Sequence, residues 1–507
     1  MRIRAAVLLG LLVVGCGSED PRPRPSVGPP RRPTIVRGPY LQPAADGSAT
    51  VAWYTDVPIP GRVLWQEEEG RLQEVASTAG RARRHEVTLT PLEPETRYLY
   101  SVADARGALA DVAGRAEFSF RTPEAASLKM VVFGDSGEGG PAQYAVAARI
   151  AGEDPPPDLV LIAGDVVYPS GADSDYDAKF FIPYRPLLSA VPFYAALGNH
   201  DYDTAGGRAY FEVFSLPQNG PAGFPPEAAY EFERAGVQVV VHDSNRPVAA
   251  QLAHADPWHR DLAGRSATFR LAVLHHPPYS SGPAHLDPSR DAIRAVFPPL
   301  FTATGVDLAL SGHDHLYERT RPIGGVVYVT TGAGGADLYP RAASNPFTVA
   351  FANERHSYTV IEISGHVMHL RQIDEDGREV DTVTLTKAVT VADSEALAPT
   401  TRDETHPVPV RRAQRRFRLS RPSGGEEVVL RVRAEGPFLV RLNEVEVGRG
   451  DGAGTSAGFT AFSVSPSLLR KGENTLAFEA HGDAAAVLAL ELTVFEENGR
   501  APLGMTR

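Results

Sequence analysis

Five short segments of this 507-residue chain combine side chains that can hold metal ions. They are Gly134-Asp135, Gly164-Asp165-Val166-Val167-Tyr168, Gly198-Asn199-His200-Asp201, His275-His276-Pro277 and Gly312-His313-Asp314-His315. Among them the candidate ligands include two carboxylates, Asp135 and Asp165, with one phenol, one amide and three or more imidazoles. Hard oxygen mixed with borderline nitrogen suits first-row transition metals better than Ca²⁺ or Mg²⁺, and the lack of thiolates argues against a zinc-finger site. The count is enough for two metals that share one ligand. Glycine ahead of a leading ligand lets the backbone turn sharply off a strand and pass close to a bound ion. A single Gly-Asp is usually only a turn, and a lone histidine after a strand is usually a hydrogen-bonded structural residue. Five such segments in order are a different matter.

Each segment directly follows an apolar run. Lys129 to Phe133, Asp158 to Ala163, Pro192 to Leu197, Phe269 to Leu274 and Val306 to Leu310 read as buried strands, with helices over Gln143 to Ala151 and Ser289 to Phe301. Ligands carried just past the ends of such strands collect at the carboxyl edge of one sheet, where open α/β folds bind their ligands. Strands at Val326 to Thr330, Tyr358 to Ile363, Val367 to Ile373 and Val380 to Leu385 suggest that this unit closes near Thr386 with antiparallel hairpins.

The ordered set resembles the metallophosphoesterase signature, and Gly164-Asp165-x-x-Tyr168 with Gly312-His313-Asp314-His315-Leu316-Tyr317-Glu318-Arg319 narrows the resemblance to purple acid phosphatases, a branch of the calcineurin-like phosphoesterases. The likeness extends to Arg37-Gly38-Pro39-Tyr40-Leu41-Gln42 and spans about residues 34 to 386. It implies that Asp135, Tyr168 and His315 bind one metal, that Asn199, His275 and His313 bind the other, and that Asp165 bridges them. It further implies Fe(III) beside the Tyr168 phenolate, whose charge transfer colours the family, and Fe(II), Zn(II) or Mn(II) at the second position. Both His275 and His276 fit His-x-Pro; setting Tyr279 against the aromatic that follows this motif in the family selects His275 as the ligand. His200 and His285 match histidines that contact the phosphate and protonate the leaving oxygen.

The implied activity is acid phosphatase-type hydrolysis of phosphomonoesters. Two ions about 3.5–4 Å apart clamp phosphoryl oxygens and lower the pKa of a bound water, making hydroxide available for in-line attack. A neighbouring imidazolium supplies the departing alkoxide's proton. Two rivals remain on sequence grounds: phosphodiester cleavage at the same metals, on cyclic nucleotides or lipid headgroups, and a surface glycan-binding protein whose central unit is an inactive scaffold. No phosphate-cradling GxxxxGK[ST] loop is present, and no serine-hydrolase triad is coherent.

Around this unit the chain divides into six stretches. Residues 1–16 carry Arg2 and Arg4 ahead of an apolar run from Ala5 to Gly15, which reads as an export signal too short to span a bilayer. The run ends at Cys16, the chain's single cysteine, in a context that resembles a bacterial lipobox, so the expectation is a lipid-anchored protein of the periplasm or cell surface. Residues 17–33 form a Pro-rich, Arg-bearing spacer. Residues 34–123 alternate in short strands with Leu92-x-Pro94-x-Thr96-x-Tyr98, which resembles the tyrosine corner of fibronectin type III and immunoglobulin-like sandwiches. Residues 124–387 are the α/β/β/α metallophosphoesterase unit, 388–409 a connector, and 410–498 a β module resembling the jelly-roll domains of secreted hydrolases. Strands there are expected near Val428 to Arg433, Leu439 to Asn443 and Leu488 to Phe495, and a packing role is favoured over sugar binding.

Composition sets the bounds. At about 150 residues per domain the length calls for several modules. Apolar residues at 43% and charged residues at 22% are those of a soluble globular chain, and 47 Gly with 43 Pro fit a loop- and strand-rich one. A net charge of −12 makes a nucleic-acid partner a poor fit, because phosphate-backbone binding needs clustered Lys and Arg.

Overall fold

The computed structural model describes residues 31–283, 289–391, 410–419, 427–451, 458–481, 486–497 and 505–506. Cys16, most of the Pro-rich spacer, His285 and most of the 388–409 connector lie outside these.

Two large sheets frame the centre. In the first, Leu159–Ile162 pairs in parallel with both Phe193–Ala195 and Ser127–Phe133, and the latter pairs antiparallel with Ser357–Ser364, followed outward by Val367–Asp374 and Glu379–Val391. In the second, Val237–His242, Phe269–Leu274, Leu308–Ser311 and Val327–Thr331 run parallel, flanked by Tyr230–Arg234 on one side and by Tyr317–Thr320 and Thr348–Ala352 on the other. The period-2 rule of strands assigns the faces. Phe269, Leu271 and Val273 join Leu308, Leu310, Val327 and Val329 in one core with the first sheet. Ala272, Leu274, Ala309 and Tyr328 point the other way, onto Ile293, Val296, Phe297, Leu300 and Phe301 of the helix Ser289–Thr304. On the first sheet, Val146, Ala147 and Ile150 of the helix Pro141–Ala151 enter the same core. Two facing sheets with helices outside them make the α/β/β/α sandwich expected from the sequence.

The strands before it, Ile35–Gln42, Ala49–Glu67, Gln73–Leu89, Arg97–Asp104, Gly107–Ala108 and Phe118–Arg121, enclose their own core around Trp53, Trp65, Tyr98 and Tyr100. The Tyr98 hydroxyl accepts the Glu93 N–H at 2.8 Å, tying the strand start to the loop before it. The Arg37-to-Gln42 stretch docks this unit on the centre. Arg37 pairs with Asp173 at 2.7 Å and Asp177 at 2.6 Å, and Tyr40 Oη donates to Val213 O at 2.9 Å.

Towards the C terminus, Glu379–Val391 continues past Thr386 and pairs with Ala486–Glu497, which pairs in turn with Glu427–Glu435, and that with Thr460–Val464. The first sheet therefore runs on into the last module without an edge, reaching nine strands. A second, five-stranded sheet completes that module over a core of Leu430, Phe438, Val440, Phe478 and Leu492. Where the module meets the parallel sheet, five charged side chains are buried together. Arg431 pairs with Asp307 at 2.7 Å, Lys387 lies 3.0 Å from Asp307 and 3.1 Å from Glu491, and Arg270 lies 3.7 Å from Glu491. Arg431 also donates to the carbonyls of Gly305 and Val306.

Candidate metal centre

Asp135, Asp165 and His313 each begin a loop that leaves a parallel strand, and each has left-handed backbone, with φ of 57°, 51° and 70°. Such geometry costs a residue with a Cβ about 1–3 kcal/mol and persists only where the surroundings over-determine it. Here they do. Asp135 N donates to Gly164 O at 3.1 Å, Ala336 N donates to Asp135 O at 2.9 Å, and His313 N donates to Asp135 Oδ2 at 2.8 Å. The strain turns the side chains inward from three separate strands onto one point. Packing is close enough there that a Cβ on Gly198 would run into the Asp165 carboxylate, so only glycine can precede Asn199.

The side chains that meet are mostly acceptors. Tyr168 Oη lies 3.1 Å from Asp135 Oδ1, 3.0 Å from Asp165 Oδ2 and 3.0 Å from His315 Nε2, although a phenol has a single proton to give. His275 Nδ1 is 2.9 Å from the Ala163 carbonyl and donates to it, which leaves Nε2 facing Asn199 Oδ1 at 3.1 Å and Asp165 Oδ2 at 3.4 Å. His315 Nδ1 likewise donates to Asp337 O at 2.8 Å, so that its Nε2 faces Tyr168 and, at 3.6 Å, Asp135. His313 Nδ1 completes the group at 3.3 Å from His275 Nε2. Oxygen and nitrogen lone pairs directed at one another in a buried site need a proton or a metal cation between them.

The titration behaviour has the same cause. Burial raises Asp135 well above the usual carboxylate range, and the neighbouring Asp165 charge adds to the effect. Burial also acts on His275 by pulling it down, but Asp165, Asp135 and the Ala163 carbonyl win and push it up to about 10. Asp165 is held far below the carboxylate range, since His275 and His200 outweigh its burial. The cluster favours positive charge at its centre. Asp135, Asp165 and His275 offer ligand atoms within 4.8 Å of one another, the spacing of a metal site.

The structure thus brings Asp135, Asp165, Tyr168, Asn199, His275, His313 and His315 together. His276 points elsewhere: its Nδ1 lies 2.8 Å from Ser244 Oγ, and its ring packs beside that of His313 at 4.5 Å. His200 is at the exposed mouth, its backbone N–H on Asp165 Oδ1 at 2.9 Å, its Nδ1 on Pro169 O at 2.6 Å and its ring 4.7 Å from that of Tyr168. His285 falls outside the described residues, but the loop just before it is anchored, with Ser281 giving both N–H and Oγ to Glu318.

Several supporting groups escape sequence reading. Asp201 accepts the N–H groups of Val166 and Gly198 and so holds two ligand loops from behind. Tyr339 stacks on His315 with centroids 4.0 Å apart. Asp201 stands inside a recognised motif and could have been found there; Tyr339, 24 residues beyond His315, carries no local signal.

Comparison with known proteins agrees with this geometry. Residues 128–317 match the calcineurin-like phosphoesterase family. Over 404 residues the chain is 28% identical to acid phosphatase type 7 of Homo sapiens, covering 67% of this chain and 88% of that one. The chain is similar to purple acid phosphatases, and its residues 128–317 match the calcineurin-like phosphoesterase domain. Purple acid phosphatase 21 of Arabidopsis thaliana is 28% identical over 270 residues, half of this chain and 58% of that protein, so this chain spans little more than half the length of this plant relative. A purple acid phosphatase from yellow lupin (Lupinus luteus) seeds shares the fold, with a TM-score of 0.56 at 18% identity over 69% of this chain and 73% of the lupin chain.

Proposed function

We propose that this phosphoesterase hydrolyses phosphomonoesters with two transition-metal ions. The observation that carries the reading is the convergence of oxygen and nitrogen ligand atoms from five loops on one buried point. Asp135, Tyr168 and His315 would hold one ion, Asn199, His275 and His313 the other, and Asp165 would serve both. A phenolate among hard donors favours Fe(III) at the Tyr168 position, with Fe(II), Zn(II) or Mn(II) beside it. When bound, such a pair neutralises phosphoryl charge and acidifies water.

The chain's own groups do the rest. The Nδ1–H groups of His275 and His315 are fixed on carbonyls, which sets both tautomers and aims Nε2 at the centre. His200, with Nδ1 held by Pro169 O, turns Nε2 toward the mouth, 4.0 Å from Asp165, where it can hold a proton for the departing oxygen. Export with a lipid anchor on Cys16, and a fibronectin type III-like identity for the N-terminal unit, belong to the same proposal. Among the described residues no helix is long and apolar enough to cross a membrane.

The test compares an aryl monophosphate with a bis-aryl phosphate on the metal-loaded protein. Faster turnover of the monoester is expected; a diester preferred by tenfold or more would overturn the monoesterase reading.

A further inference from the structure

The strand Val237–His242 runs parallel to Phe269–Leu274 with His242 opposite Leu274, so the loop that leaves it emerges beside His275. Three successive residues of that loop each grip a ligand loop of the metal centre. Asp243 is fully buried, and its Oδ2 accepts the Tyr202 hydroxyl at 2.7 Å. Ser244 Oγ accepts the His276 N–H at 3.1 Å, one residue past His275. Asn245 Nδ2 donates to Leu197 O at 3.0 Å, two residues ahead of Asn199. Tyr202 lies three residues past Asn199 in the helical turn Asn199–Asp203, so the Asn199 loop is held at both of its ends.

These contacts join two sheets. Asn199 follows Phe193–Ala195 of the first sheet, whereas His275 and His313 follow Phe269–Leu274 and Leu308–Ser311 of the second. Other tethers of the Asn199 loop run back to its own sheet: the His200 N–H goes to Asp165 Oδ1, His200 Nδ1 to Pro169 O, and Asp201 takes the Val166 N–H. The Asp243 loop is braced in turn. Asp243 Oδ1 accepts Asn245 N at 3.1 Å and Nδ2 at 3.0 Å, and Oδ2 accepts Arg246 Nε at 3.0 Å. Hydrogen bonds to a charged acceptor are roughly twice as strong as neutral ones, which makes this carboxylate a stiff anchor.

The ligands assigned to the Tyr168 position are held by different groups. Asp135 N donates to Gly164 O at 3.1 Å, Tyr168 N to Gly137 O at 2.9 Å, and His315 Nδ1 to Asp337 O at 2.8 Å. Resting on the two-metal phosphatase reading, we propose that Asp243, Ser244 and Asn245 are positioning residues for the ion assigned to Asn199, His275 and His313. They hold Asn199 Oδ1 at 3.1 Å from His275 Nε2 across the gap between the sheets, and the Tyr168 position stands without them. A ligand displaced by more than about 0.5 Å leaves its productive geometry, so slack in this strap empties one position and spares the other.

The experiment takes the metal-loaded full chain and compares wild type with Tyr202→Phe, Asn245→Ala and the double variant across a graded chelator series. Ions per chain, the phenolate-to-Fe(III) band and hydrolysis of phenyl phosphate are read at each step. Both side chains are half-buried, and Tyr202→Phe keeps the ring beneath the Arg246 guanidinium. Each single variant is expected to release one ion at a chelator strength about tenfold or more below that needed for wild type, and the double variant at a lower strength still. The band and the remaining ion should persist while hydrolysis is lost, and excess Zn(II) or Mn(II) should restore turnover. General loosening of the fold would release both ions together and take the band with them. That result, or wild-type retention of both ions by the double variant, overturns the strap. A loaded wild type holding fewer than two ions would instead sink the two-metal reading underneath.

Discussion

Asp201 Oδ2 accepts the backbone N–H of Gly198 at 2.9 Å, one residue ahead of Asn199, while Oδ1 takes that of Val166 at 3.0 Å, one residue past Asp165. A single buried carboxylate thereby sets the spacing of two ligand loops that leave neighbouring strands. Removing supporting groups of this kind in metal sites typically costs 10–100-fold in affinity or activity. Asp201→Ala is expected to weaken metal retention by about that factor, read as metals per chain after dialysis against a graded chelator series. Wild-type retention would show that the loops hold their spacing without it.

Gly198 is the tightest approach in the centre. With alanine there, the methyl group enters the space of the Asp165 carboxylate and backbone, and that carboxylate has no room to retreat at 2% exposure. Gly198→Ala should retain the fold by circular dichroism and lose most of its metal and hydrolysis. A fully loaded, active alanine variant would show that the loop relaxes freely.

The bridging role proposed for Asp165 leads to a stoichiometric expectation. Asp165→Asn removes the charge that both ions would use while keeping the side chain's shape. Metal content should fall from two ions per chain to one or none, together with turnover. Near-normal hydrolysis by folded Asp165→Asn would contradict the bridging role.

The buried ionic cluster at the C-terminal junction makes stability depend on acid. Burial alone would raise Glu491, but Lys387, Arg431 and Arg270 outweigh it and bring the carboxyl down to about 2. A folded value below the unfolded one, about 4.3 for glutamate, means stability that is present above the unfolded value and is lost as pH falls towards the folded value. Glu491→Gln leaves Lys387 and the two arginines under-compensated and is expected to cost about 3–5 kcal/mol near neutral pH. In urea unfolding the gap between wild type and variant should narrow below about pH 4.3. A gap constant from neutral pH to pH 3 would contradict this assignment.

That cluster also bears on how detachable the last module is. Cutting the chain after Thr386 removes Lys387 and Arg431, leaves Asp307 buried without either cation, and strips Glu379–Val391 of its Ala486–Glu497 partner. The truncated protein is expected to aggregate through the bared strand edge. A soluble, active product ending at Thr386 would show the module to be an appendage.

Much of the site was legible because metal chemistry needs particular residue types at strand ends, and apolar runs such as Phe269–Leu274 and Leu159–Ile162 locate those ends. Period-2 burial and glycine-led loops are local signals. Choosing between His275 and His276 required the family pattern; the structure separates them through one carbonyl and one hydroxyl, Ala163 O and Ser244 Oγ, both distant in sequence. The junction was less legible. Lys387 reads as the polar last residue of the central unit, yet it is fully buried because its charge is met by Asp307 and Glu491, 80 and 104 positions away. Local composition does not encode such pairing, nor the run of Glu379–Val391 past the apparent end of its domain.

In the proposed centre Tyr168, Asp135 and His315 would gather around a ferric ion that Asp165 shares with a second metal. Elemental analysis of the purified full chain combined with its visible spectrum, wild type against Tyr168→Phe, tests this most directly. Two transition-metal ions per chain are expected, at least one of them iron, with a broad phenolate-to-Fe(III) absorption band that vanishes in Tyr168→Phe. A colourless, iron-free wild type, or a band that survives the loss of the phenol, would contradict it.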